Sequence, residues 1–229
     1  PTQDITMDEV LGMLRGKIGE SVDVVVRRGK NMEFPVTLVR ELIEVPTVKF
    51  GMIDDKNAKI GYLRIIEFTP QTAQRVQDAI DSFKKNNFTG MIIDLRNNPG
   101  GLITSVADVA DKFIDSGIIV STKSRISEAA SVYTATPDAT TMPKGIPIVV
   151  LINKGSASAS EILAGALKDY HLAYLVGERT YGKGSVQQVI PLYNADGVKL
   201  TMARYYTPSD VNIDKIGIPP DREILLTQY

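Results

Sequence analysis

The 229 residues predict an α/β protein, and three observations carry that prediction. Short apolar runs of the kind that form strands buried on both faces recur at Gly90–Leu95, Ile146–Ile152 and Ala173–Val176. Segments with helical spacing separate them, at Thr72–Lys85, Leu102–Ile114 and Ser156–Asp169. No internal repeat or low-complexity linker interrupts the alternation, so the strands and helices read as layers of one architecture.

In chain order, Thr6-Met7-Asp8-Glu9 fits a capping box, and Met7, Val10, Leu11 and Leu14 continue at helical spacing until Gly16 and Gly19. Val22, Val24 and Val26 then alternate with other residues, Arg28-Gly29-Lys30-Asn31 suits a hairpin turn, and Phe34, Val36 and Leu38 alternate again. One helix and two strands are too little to stand alone. Residues 1–40 therefore read as part of a domain, and residues 41–229 as the main body. In the main body, Ile60–Phe68 reads as a strand before the helix at Thr72–Lys85, and Asn97–Gly101 as a tight loop. Ile118–Thr122 is a further strand, residues 123–145 pass over the surface, and strands at Val186–Leu192 and Val198–Tyr206 follow.

Composition narrows the chemistry. Twenty-six basic and 27 acidic side chains leave a formal charge of −1, so no basic excess is available for a nucleic-acid backbone. No apolar run reaches the ~18 residues that a spanning helix needs. The absence of Cys removes disulfides, thiolate nucleophiles and Cys-based zinc sites, and is compatible with either side of a membrane. The single His, His171, leaves no His-rich metal site, and we assign neither metal nor cofactor. The opening Pro1-Thr2-Gln3 carries no initiator Met and no signal-peptide pattern, which reads as a fragment or a processed product.

Three segments could hold chemistry. Gly155-Ser156-Ala157-Ser158-Ala159-Ser160-Glu161 joins a buried strand to a helix, where a serine can stand over the end of the sheet and free helix N–H groups can face an oxyanion. The same residues also fit plain helix capping, and local sequence does not choose among the three serines. Gly177–Ser185 approaches the phosphate-binding pattern G-x-x-x-x-G-K-[ST], but Gly184 stands where the hydroxyl belongs and a strand follows instead of a helix. Its Lys183 reads either as a surface lysine in a turn or as a base in an apolar pocket; a neutral base near pH 7 needs a depression of ~3 units, about 4 kcal/mol. Glu178, the carboxylate nearest in sequence, is expected to point away. Asn98-Pro99-Gly100-Gly101 can offer N–H groups to a substrate or can simply turn the chain. His171 lies at the far end of the helix that begins near Ser158, ~20 Å away at ~1.5 Å per residue, so it cannot be that serine's base. A serine nucleophile here needs another partner, and lysine is the known alternative.

Together these segments resemble the carboxyl-terminal processing (tail-specific) serine proteases. The resemblance rests on Asp94–Gly101, Gly155–Ile162, Gly177–Gly184, Ala203-Arg204-Tyr205-Tyr206-Thr207-Pro208-Ser209 and Gly217–Asp221, four motifs and a closing segment in order across nearly the whole chain. It implies a crotonase-like (ClpP-like) spiral core with a β-rich cap over residues 41–229, preceded by the C-terminal half of a PDZ domain over residues 1–40. It implies a Ser–Lys dyad of Ser158 and Lys183, with Gln187 orienting the lysine. The oxyanion hole would use the N–H of Ala159 and of Gly100 or Gly101, with Gly100 preferred. Its substrates would be proteins or peptides with apolar C-terminal tails, in a periplasmic, cell-envelope or lumenal space, and it is compatible with a homo-oligomer and a regulatory partner protein. A half PDZ module would lack the carboxylate-binding loop and the peptide-pairing strand. Ser209-Asp210 departs from the commoner Ser-Gly of that pattern. Two other readings are an inactive or gated peptide-binding homologue and a crotonase-like acyl-thioester enzyme; the joint presence of Ser158 and Lys183 argues against the second.

Overall fold

The structure, a computed structural model, describes residues 4–30, 32–41, 46–55, 57–125, 130–193 and 196–225. The chain forms two compact units, Pro1–Val45 and Pro46–Tyr229.

In the first unit, helix α1 (Met7–Leu14) is followed by strands β1 (Ser21–Arg28) and β2 (Met32–Val39). The capping box forms as expected: Glu9 N–H donates to Thr6 Oγ1 at 3.3 Å and Thr6 N–H to Glu9 Oε2 at 2.7 Å. Arg40 closes the other end of α1. Its guanidinium donates to the carbonyls of Leu14 and Met13 at 2.8 and 3.2 Å, satisfying acceptors that a helix end leaves open. The same group reaches Ser21 O on β1 at 3.1 Å. β1 and β2 pair antiparallel, Val24 opposite Val36, so one face collects Val22, Val24, Val26, Phe34 and Val36. None of the described residues 4–41 is buried. Asn31, the last residue of the expected turn, lies outside the described residues.

The second unit is built on a six-stranded sheet. Its members are β3 (Val48–Asp55), β4 (Ala58–Ile65), β5 (Gly90–Asp94), β8 (Ile148–Ile152), β9 (Ala173–Gly177) and β12 (Arg222–Glu223), in the order β12-β9-β8-β5-β4-β3. β4, β5, β8, β9 and β12 run parallel, with Leu63 beside Ile93, Ile93 beside Val150 and Val150 beside Leu175. β3 pairs antiparallel with β4 at the edge. Parallel strands need crossovers. Helix α2 (Thr72–Lys85) joins β4 to β5, and α4 (Ala159–Asp169) joins β8 to β9. Helix α3 (Ile103–Ala110) follows β5 and packs against both α2 and α4. The core gathers Leu63, Ile65, Phe83, Ile93, Val150, Leu163 and Leu175, all at most 1% exposed. A second, four-stranded antiparallel sheet has the order β10-β11-β6-β7, from β6 (Ile118–Lys123), β7 (Ser131–Thr134), β10 (Ser185–Pro191) and β11 (Gly197–Tyr206).

The buried strands and α2 fall where the sequence puts them, while other bounds shift. The helix expected to run to Ile114 ends at Ala110, because Lys112 and Phe113 donate to carbonyls three residues back and tighten the last turn. Phe113 and Ile114 remain buried in that turn. The surface excursion contains β7, and β3 and β12 have no counterpart in the sequence reading.

The parallel arrangement fixes where chemistry can sit. β5, β8 and β9 end side by side, Asp94 against Leu151 and Ile152 against Gly177. The loops after them therefore leave the sheet from one edge, the carboxyl end where α/β folds bind ligands. The same sheet depends on close packing at Phe83, whose ring lies over Gly61, where a Cβ would fall 2.6 Å from Phe83 Cδ2. That ring also meets Phe50 edge to face at 6.0 Å. Phe83→Ala is expected to cost about 3–5 kcal/mol in urea unfolding; a loss below about 1 kcal/mol would contradict this account of the core.

Candidate active site

Three loops build the site, and side-chain amides knit the first two together. At the end of β5, Asp94 is fully buried and accepts from Tyr62 Oη at 2.7 Å and from Arg96 Nε and Nη2 at 2.9 and 2.7 Å. Burial alone would push its carboxyl up; the Arg96 and Tyr62 hydrogen bonds outweigh it and hold the group below its usual range. Asn98, also fully buried, anchors the glycine turn: Nδ2 donates to Ile65 O at 2.9 Å and Oδ1 accepts from Gly100 N–H at 2.8 Å. Asn153, after β8, accepts from Asn97 N–H through Oδ1 at 2.9 Å and donates through Nδ2 to Asn97 Oδ1 at 2.9 Å.

The three serines separate by their partners. Ser156 Oγ donates to Leu95 O at 2.8 Å and accepts from Asn153 N–H at 3.0 Å, and the residue is fully buried. Ser160 Oγ donates to Asn98 O at 3.0 Å and is also fully buried. Both hydroxyls fasten one loop to the other. Ser158 is partly exposed and stands at the N-cap of α4, where its N–H donates to Glu161 Oε2 and its carbonyl accepts from Glu161 N–H. Capping and exposure therefore fall on the same residue. Its backbone sits at φ 56° and ψ −116°, a conformation that L-residues rarely adopt and that costs on the order of 1–3 kcal/mol. A strand-to-helix turn of this kind is how serine nucleophiles are raised above a sheet.

The glycine turn lies against this serine. A Cβ on Gly100 would fall 2.8 Å from Ser158 Cβ and 3.0 Å from Ala159 N, so only glycine allows the approach. The Gly100 N–H is engaged by Asn98 Oδ1. Of the two glycines, it is the Gly101 N–H that meets no acceptor among the described residues, and the Ala159 N–H meets none there either. An Asx turn thus occupies the Gly100 donor and leaves that of Gly101 open among the described residues.

The third loop follows β9 and carries Lys183. Its link to the serine is Glu161, a fully buried carboxylate. Oε2 accepts from Ser158 N–H at 2.9 Å and from Lys183 N–H at 2.8 Å; Oε1 accepts from Gly182 N–H at 2.7 Å and from Thr180 Oγ1 at 2.5 Å. Tyr181 N–H adds a bond to Ser156 O at 3.0 Å. The Lys183 side chain is exposed, which fits the surface-turn reading of the sequence and not the apolar-pocket one. Gly182 and Gly184 on either side pack their backbone against the Ile213–Gly217 turn, which buries the main chain and turns the side chain outward. No hydrogen bond joins Ser158 Oγ to Lys183 Nζ among the described residues. Gln187 on β10 is exposed and likewise makes no bond to Lys183 among them. Glu178 pairs with Lys154 at 3.4 Å and forms no ion pair with Lys183 among the described residues. His171 follows the C-cap of α4, at the opposite end from Ser158. A strand, β10, follows Gly184, so the helix that a phosphate loop needs is absent there. No group of His, Cys, Asp or Glu among the described residues could hold a metal ion.

Residues 59–224 match the model of peptidase family S41. The chain belongs to that family. It is 41% identical to a carboxy-terminal-processing protease of Bartonella bacilliformis over 221 residues, which covers 94% of this chain and 50% of that protein. It is 37% identical to a carboxyl-terminal-processing protease of Synechocystis sp., covering 97% and 52%. Among solved structures it is similar to the photosystem II D1 C-terminal processing protease, with a TM-score of 0.70, 33% identity and coverage of 96% of this chain and 59% of that one. The chain thus spans about half the length of the curated S41 relatives it matches. No helix among the described residues is long and apolar enough to cross a membrane.

The backbone strain at Ser158 gives a direct test. Ser158→Gly should unfold at higher denaturant than Ser158→Ala, by about 1–3 kcal/mol, because glycine relieves the positive φ and alanine does not. Equal stability of the two variants would remove the strain argument.

Proposed function

We propose that the protein is a serine endopeptidase that uses a Ser158–Lys183 dyad to cleave protein chains at or near their C-termini. The observation that carries this reading is the shared anchor: the backbone of a strained, partly exposed serine and that of the lysine both hydrogen-bond to one carboxylate oxygen. In this reading Lys183 Nζ, in its neutral form, takes the Ser158 Oγ proton while Oγ attacks the peptide carbonyl. The resulting oxyanion is held by the N–H groups of Ala159 and Gly101. Collapse breaks the C–N bond, the lysine returns the proton to the leaving amine, and water then hydrolyses the acyl-enzyme at Ser158. Gln187, at the start of β10, serves to orient the lysine once its side chain turns inward.

The substrate class comes from the family: unfolded chains with apolar C-terminal residues, in an extracytoplasmic or lumenal space. Residues 1–40 are read as the C-terminal half of a PDZ module and residues 41–229 as a crotonase-like core with its cap. A homo-oligomer and a regulatory partner fit the same reading. One observation favours a gated form of this enzyme: the lysine side chain is exposed and unbonded to the serine hydroxyl, so activity requires its rotation toward Ser158.

Ser158→Ala and Lys183→Ala should each abolish cleavage of an unfolded peptide with an apolar tail, and His171→Ala should leave it close to the wild-type rate. Loss of activity in His171→Ala with retention in Lys183→Ala would overturn the dyad.

A further inference from the structure

Glu161 is a completely buried acid whose four hydrogen-bond partners among the described residues are all donors: three backbone N–H groups and the Thr180 hydroxyl. The Thr180 hydroxyl is itself committed, since Oγ1 accepts from Ile218 N–H at 2.7 Å and gives its proton to Glu161. Only an acceptor-only side chain with two oxygens satisfies this set. A capping box would use only the bond to Ser158; the other three reach 19 to 22 residues along the chain, into the lysine turn. The carboxylate also lies in the first turn of α4, where negative charge is favoured.

We propose that Glu161 is a positioning residue for the dyad: it sets the distance between the nucleophile turn and the lysine turn, and so the rate of acylation per folded site. This rests on the reading of Ser158 as nucleophile and Lys183 as base. Glu161→Gln keeps the shape but replaces one acceptor with a donor. In either amide orientation the NH₂ then faces at least one backbone donor: Ser158 and Lys183 N–H, or Gly182 N–H beside the Thr180 hydroxyl. One turn or the other must move, and displacement of reacting groups by about 1 Å can cost about 100-fold in rate.

The test is active-site titration of the whole chain with a serine-directed fluorophosphonate, recording the fraction of sites labelled at completion and the labelling rate per site, beside kcat and KM for an unfolded peptide. Glu161→Gln should label to the wild-type fraction, with the per-site rate and kcat both down about 100-fold and KM changed less than about 3-fold. A merely structural role would lower the labelled fraction and leave the per-site rate unchanged, and that result overturns the proposal. Thr180→Val, which removes one donor and keeps the carboxylate, is the second variant and serves if Glu161→Gln does not fold. Its per-site rate should fall about 10-fold, and a wild-type rate there would equally overturn the proposal. Failure of the wild-type protein to label or cleave would instead defeat the Ser–Lys reading itself.

Discussion

One buried carboxylate holds the two halves of the candidate site in register. The serine lies beyond the end of β8, at the start of α4, and the lysine beyond the end of β9, on loops that the sheet brings to one edge but does not itself align. Glu161 supplies the alignment, with Oε2 accepting from both Ser158 and Lys183 N–H. An acid in the interior is tolerated because its two oxygens receive four hydrogen bonds within the described structure, which replaces the water it gave up. Around it, the Asn97–Asn153 pair and the hydroxyls of Ser156 and Ser160 fix the glycine turn against the serine turn. The Lys183 side chain is exposed and lies outside this network.

The same network explains how Ser158 can hold its unusual backbone angles. A strained residue persists only where its surroundings over-determine it. Ser158 is gripped on one side by Glu161 and on the other by the Gly100 backbone, where a Cβ would fall 2.8 Å from Ser158 Cβ. Strain, close glycine packing and the buried acid are therefore parts of one arrangement.

Much of this was legible in the chain. β5 and β8 announce themselves because a strand covered on both faces is a short, nearly unbroken apolar run, and α2 because its buried residues recur at helical spacing. β3 was not legible: it is an edge strand interrupted by Gly51, carries Lys49, Asp54 and Asp55, and exposes Phe50 and Ile53, so no alternation survives. The motifs marked the candidate segments, but local sequence left Ser156, Ser158 and Ser160 unranked and only the family resemblance singled out Ser158. Their roles are decided by Leu95 O and Asn98 O, some 60 residues away in sequence. Nor could they show that Gly100 spends its N–H on Asn98, or that Lys183 projects outward, because both follow from how loops from separate strands pack. Ser-x-x-Glu signals a helix start; nothing local reveals that the same Glu161 also receives the lysine turn.

The central claim is that Ser158 becomes acylated through Lys183. Rapid acid quench of the protein with an unfolded apolar-tailed peptide, followed by mass analysis of the Ser158 segment, tests it most directly. The account predicts a substrate-derived acyl mass on Ser158 in the wild-type protein and none in Lys183→Ala. Continued peptide cleavage with no adduct on Ser158, or an adduct formed equally well without Lys183, would contradict it.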